Sequence, residues 1–200
     1  MDSTIKDKLL GFYQKHKPFI KSIFSGNTYY SIIFYIVLFY LLFVFVALPA
    51  VYAFSPISYI SAVVSSSMDH SSSTIQLTYN DWLVQNGFNS SVTNAWPFSN
   101  GISLGSLVIV YKVNANQIKI GDVIVYNANY QGTTEQIIHR VINETEINGT
   151  YYYTTKGDAN PVSLPFEINV PYSSVIGEAG YSIPYLGYPK YILYTIGNSI

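Results

Sequence analysis

Between Ser31 and Ala53 the chain reads SIIFYIVLFYLLFVFVALPAVYA, with no charged side chain. About 20 such residues, wound as a helix rising 1.5 Å each, cross a ~30 Å hydrocarbon core. A buried helix of a soluble domain is rarely uncharged for so long. Val51-Tyr52-Ala53 resembles a cleavage site for an export signal, but the apolar core of such a signal is shorter, roughly 7–15 residues. Residues 31–54 are therefore read as a transmembrane helix. The rest of the chain is a lead before it, 1–30, and one domain after it, 55–200.

The charges orient the span. Lys6, Lys8, Lys15, Lys17 and Lys21 hold half of the 10 Lys and Arg residues in the chain. Lysines on one side of a span favour a cytoplasmic N-terminus, which puts everything after Phe54 outside the cytoplasm or in a lumen. Beyond Phe54 the acids outnumber the bases, so no basic patch offers itself to a nucleic-acid backbone. Cysteine is absent, which excludes disulfides, Cys–zinc sites and thiol nucleophiles. A domain of this length can bury a sufficient core without such staples. Asn89, Asn143 and Asn148 each open an N-x-Ser/Thr sequon, compatible with glycosylation on that side of the membrane.

After the span the dominant period is two. Ile57 to Val64, Leu107 to Lys112, Asp122 to Asn127, Glu135 to Glu146, Thr150 to Lys156 and Val175 to Tyr181 read as strands, and Asn148-Gly149 is a strong hairpin signal. Residues 69–100 break the pattern. They read as an insertion with a short helix in TYNDWLVQNG, capped by Thr78 or Asn80 and stopped by Gly87, and are expected to form a separate flap. The tail from Tyr181 to Ile200 is apolar and rich in tyrosine. It suits either a final strand on the core or a segment resting on headgroups. The fold class expected is mainly β: an all-β ectodomain on one N-terminal transmembrane helix.

Few side chains can do chemistry. Of the three histidines, His16 lies in the lead, His70 follows Ser67 closely, and His139 sits in the apolar strand IIHRVI. If Asn148-Gly149 is a two-residue turn, Ile147 pairs with Thr150, and unbroken register sets His139 opposite Asp158 with Cβ atoms about 5 Å apart. A carboxylate beside an imidazole fixes its tautomer and stabilises the imidazolium that forms when a serine is deprotonated.

Four short motifs occur in a telling order: SSSM at 65–68, GDVIVYN at 121–127, IIHRVIN at 137–143 and TKGDANP at 155–161. Together, behind a span with its N-terminus inside, they resemble the boxes of type I signal peptidases, in the endoplasmic-reticulum and archaeal branch where histidine replaces the lysine base of the bacterial enzymes. The resemblance covers roughly Ile57 to Leu186, apart from 69–100. It implies a signal-peptidase-like catalytic domain that cleaves signal peptides from exported preproteins. Ser67 is then the nucleophile, His139 its base and Asp158 the support of the histidine. The Ser67 backbone N–H and the Ser65 hydroxyl would hold the oxyanion. Lys156 takes a structural role rather than that of a base, and Arg140, on the other face of its strand, takes none. No metal or organic cofactor is implied. The partners implied are preproteins, the lipid bilayer and the protein-export channel. The sequence departs from the family where a second aspartate is usual, six residues after Asp158: Leu164 stands there, and Glu167 is the nearest acid downstream. The competing reading is a non-catalytic membrane-anchored surface domain, or an inactive signal-peptidase-like subunit.

Overall fold

The computed structural model describes residues 3–24, 26, 28–130 and 132–197. Residues 1, 2, 25 and 27 of the expected lead and the last three residues of the expected domain lie outside them. The chain divides into two compact units, Met1–Ser55 and Pro56–Ile200.

The first unit is helical. Helix α1 (Ser3–Phe24) precedes α2 (Tyr29–Leu42), which continues through a π-helical turn (Phe43–Ala47) into α3 (Leu48–Phe54). The π turn has a local cause. Pro49 has no N–H to donate and its ring crowds the carbonyl one turn back. The ladder adapts by widening, and the Leu48 N–H reaches the Phe43 carbonyl, five residues back. The continuous stretch Tyr29–Phe54 is long and apolar enough to cross a membrane.

The second unit is built on a seven-stranded antiparallel sheet, ordered β1-β2-β7-β3-β4-β5-β6. The strands are β1 (Ile57–Ala62), β2 (Leu107–Tyr111), β3 (Val123–Tyr130), β4 (Thr133–Ile147), β5 (Thr150–Lys156), β6 (Val170–Pro171) and β7 (Val175–Ile183). Alternation explains why β3 is apolar at every position from Val123 to Tyr126. Val123 and Val125 join Val63, Met68, Val108 and Val110 in one core, while Ile124 and Tyr126 join Ile118, Val141 and Tyr153 in another. A strand buried on both faces reads as a continuous hydrophobic run.

Strand β4 sets up the site by changing partner along its length. Thr133 to Arg140 pair with β3, and Arg140 to Ile147 pair with β5. His139 and Arg140 thus sit at the handover, where the ladder opens.

The same strand overturns the register expectation. Ile147 does pair with Thr150, but a bulge between Val141 and Asn143 shifts the ladder, so Arg140 pairs with Lys156. A one-residue shift exchanges the faces of a strand. It moves Asp158 from the face of His139 to that of Arg140.

The unit is mainly β as expected, with helices added to the sheet. Helix α4 (Ser73–Gln85) begins several residues before the expected caps, with Ser72 at its N-cap, and α5 (Ser90–Thr93) follows. The tail from Tyr181 does not form a strand of its own. Strand β7 runs on to Ile183, and Tyr188–Gly197 then form helix α6, with Pro189 in its first turn, where a missing N–H costs nothing.

Candidate active site

The loop after β1 carries the serines. Its backbone is tied down by the rest of the domain: the Ala159 N–H donates to the Ser67 carbonyl at 2.8 Å, and the Ile102 N–H donates to the Met68 carbonyl at 2.6 Å. Met68 is buried and acts as the plug that holds the loop. The serine hydroxyl is thereby presented to β4, where His139 Nε2 lies 2.9 Å from Ser67 Oγ. Ser65 Oγ is 3.1 Å from Ser67 Oγ, within reach of an oxygen bound beside it.

On the far side of the ring, His139 Nδ1 meets Glu167 Oε1. Glu167 is fully buried. It ends a short 3₁₀ turn, Pro165–Glu167, and its second oxygen accepts the Leu164 N–H. The turn locks the carboxylate against the imidazole. The expected support, Asp158, does not contact His139. Its carboxylate is taken by other donors: Arg140 Nε reaches Oδ1 at 2.9 Å, while Arg140 Nη2 and His70 Nε2 reach Oδ2 at 2.7 and 3.1 Å. The bulge in β4 is the physical reason. Burial alone would raise the Asp158 pKa, but the hydrogen bonds from His70 and Arg140 outweigh it and hold the carboxyl below its usual value.

Ser67, His139 and Glu167 thus form a chain of nucleophile, imidazole and carboxylate. Such a chain can deprotonate a hydroxyl and stabilise the resulting imidazolium. Gly157 permits the close packing here. A Cβ at that position would stand 2.8 Å from His139 Nε2 and 2.9 Å from the Ser67 carbonyl oxygen. The hydroxyl and the imidazole open onto a mostly apolar cavity of about 280 Å³, walled in part by Val64, Ile102, Ile138, Leu164 and Phe166.

Sequence reasoning undervalued Glu167, His70 and Arg140. Glu167 was legible only as the acid nearest the missing aspartate. The Pro at the start of its turn, with an acid two residues later, is the local signal that the carboxylate folds back onto its own backbone. Lys156 is buried. Its ammonium donates to the carbonyls of Gly157 and Asp158 at 3.0 and 3.3 Å and sits 4.5 Å from the centre of the Trp82 ring. Burial lowers its pKa to about 8. Among the described residues, no group of three or more His, Asp or Glu side chains is placed to hold a metal ion.

The 69–100 segment is not a separate flap. Tyr79, Leu83 and Thr93 are buried. The carbonyls of Pro97 and Phe98 accept from the Arg140 guanidinium at 2.7 and 2.9 Å, and the rings of Tyr79 and Trp96 flank it at 5.9 and 5.7 Å. The segment roofs a buried cluster of Arg140, Asp158 and Lys156. Removing 71–99 should therefore expose that cluster and abolish cooperative unfolding, instead of leaving the domain intact. A thermal melt of the deletion that matches the full chain would refute this.

No protein-family model matches the chain, and no match is found among curated proteins.

Proposed function

We propose that the chain is a membrane-anchored serine endopeptidase of the type I signal peptidase kind, removing signal peptides from exported preproteins. The observation that carries this reading is the contact of Ser67 Oγ with His139 Nε2, backed by Glu167 on Nδ1. In the proposed reaction, His139 takes the Ser67 proton as Oγ attacks the scissile carbonyl. The imidazolium, held by Glu167, returns that proton to the leaving amine. Water, activated by the same imidazole, then releases the acyl group. The Ser67 N–H and the Ser65 hydroxyl stabilise the oxyanion. Asp158 has no part in this relay, and Glu167 serves where the family's second aspartate is replaced by Leu164.

The span at Tyr29–Phe54 supports the substrate class. A signal peptide is held in the bilayer, so a tethered enzyme meets it at a raised effective concentration. The lysine-rich lead favours an N-terminus in the cytoplasm and a catalytic domain outside it. The expected substrates carry small residues before the cleaved bond, as the family resemblance implies, and the export channel is the expected source of these chains.

Co-expression with a preprotein tests the assignment of the serines. Ser66→Ala should leave processing nearly intact. Ser65→Ala should lower it about 10- to 100-fold, as for the loss of one weak oxyanion donor. Processing that depends on Ser66 and not on Ser67 would show the nucleophile to be misassigned.

A further inference from the structure

Helix α1 plays no part in the proposed chemistry, yet its sequence is sorted by face. At helical spacing, Phe12, His16, Phe19 and Ile23 form one stripe, bordered by Tyr13 and Phe24. Gly11, Gln14, Pro18 and Ser22 form the opposite stripe. Lys15 falls on one flank of the apolar stripe and Lys17 on the other, beyond Tyr13 and Phe24, while Lys21 lies beside Gln14 on the polar face. Within its unit much of this face stays exposed: Phe12 is 65 % exposed and Phe24 60 %, while His16 and Ile23 are half-buried.

The join to the span is structured. Thr28 Oγ1 and Ser31 Oγ both donate to the Ser22 carbonyl, at 3.1 and 2.5 Å. Phe24 packs edge-on to Phe34 at 5.2 Å and Phe19 to Tyr30 at 6.0 Å. These contacts lie in the last turns of α1 and the first two turns of α2. Phe12 and Tyr13, further back, remain exposed.

We propose that α1 is an interfacial helix, seated on an anionic membrane surface at the foot of the span. Its Phe12–Phe19 stripe sits among the upper acyl chains and Lys15, Lys17 and Lys21 lie at the headgroups. Three observations select lipid as the occupant. The helix is joined by fixed hydrogen bonds to a segment long and apolar enough to span. Its apolar face is rich in aromatic rings, which favour the headgroup boundary. Lys15 and Lys17 flank that face and Lys21 lies on the polar side, where long lysine stems let the charge reach the headgroups. Each basic residue near an anionic leaflet adds to the attraction. The inference rests on the membrane-span part of the reading above and is independent of the peptidase chemistry.

The absence of native cysteine makes the test clean. The full chain, carrying a single environment-sensitive fluorophore on Phe12→Cys, Gln14→Cys or Phe39→Cys, is reconstituted in vesicles of phosphatidylcholine, alone or mixed with phosphatidylglycerol. Brominated lipids serve as the quencher. The expected result is a blue-shifted, lipid-quenched signal at position 12 that strengthens with phosphatidylglycerol, and a water-exposed signal at position 14. Replacing Lys15, Lys17 and Lys21 by Gln should remove most of the phosphatidylglycerol dependence. Position 39 reports the span separately. If 39 is not quenched, the span reading fails and α1 with it. If 39 is quenched but 12 matches 14, the interfacial helix alone is wrong, and a protein partner becomes the occupant to seek. Equal quenching at 12 in both vesicle types would overturn the role given to the lysines.

Discussion

Ser67→Ala and His139→Ala are each expected to lower kcat for preprotein cleavage by on the order of 10⁴ to 10⁶, and the double variant by no more than either alone. The reason lies in the geometry. Without His139 the Ser67 hydroxyl keeps its proton, and without Ser67 the imidazole has nothing to activate, so either loss disables the same step. KM should change little, because the apolar walls of the cavity at Val64, Ile102, Ile138, Leu164 and Phe166 stay in place. His139→Lys should not rescue the reaction, since an amine facing the Glu167 carboxylate stays protonated. Steady-state kinetics on the purified full chain check this. An active His139→Ala enzyme, or additive losses in the double variant, would show that the two do not act as a unit.

The two buried acids should part company when neutralised. Glu167→Gln is expected to cut kcat by on the order of 10³ to 10⁴, with the melting temperature close to that of the parent, because only the tautomer and charge support of His139 are lost. Asp158→Asn should do the reverse. It leaves the Arg140 guanidinium buried without its counter-charge, and breaking such a pair costs roughly 3–5 kcal/mol. The pH dependence follows from the depressed pKa of Asp158. An acid held below its unfolded value contributes stability that is fully present above about pH 4–5 and is lost as the pH falls through the folded pKa. The parent chain should therefore weaken in acid over that window, and Asp158→Asn should be weaker at neutral pH but flatter in acid. Thermal melts over pH set beside kcat for the two variants read both effects. A stable, inactive Asp158→Asn chain together with a fully active Glu167→Gln chain would return the supporting role to Asp158.

The contrast between these acids also marks how far the sequence could be read. The long apolar helix, the strands and the Asn148-Gly149 hairpin were legible because each rests on a local pattern: absence of charge, period two, or turn chemistry. The pairing of Ser67 with His139 was legible through motif order. The partner of His139 was not, because it depends on one bulge between Val141 and Asn143 that no residue type there announces. That bulge turns Asp158 toward Arg140. A 3₁₀ turn then supplies Glu167 from a loop whose conformation has no periodicity to read. The 69–100 segment was misread as a flap for a related reason. Its ties to the core are made by Arg140 and Lys156, charged residues that a sequence alone assigns to solvent, and here they are buried against Trp82, Trp96 and Tyr79.

The most direct test of the account is to incubate the purified, vesicle-reconstituted chain with a preprotein and identify the products by mass spectrometry. The account predicts one cut, at the end of the signal segment after a small residue, with no cut by the Ser67→Ala chain. An intact preprotein, or the same cut made by Ser67→Ala, would contradict it.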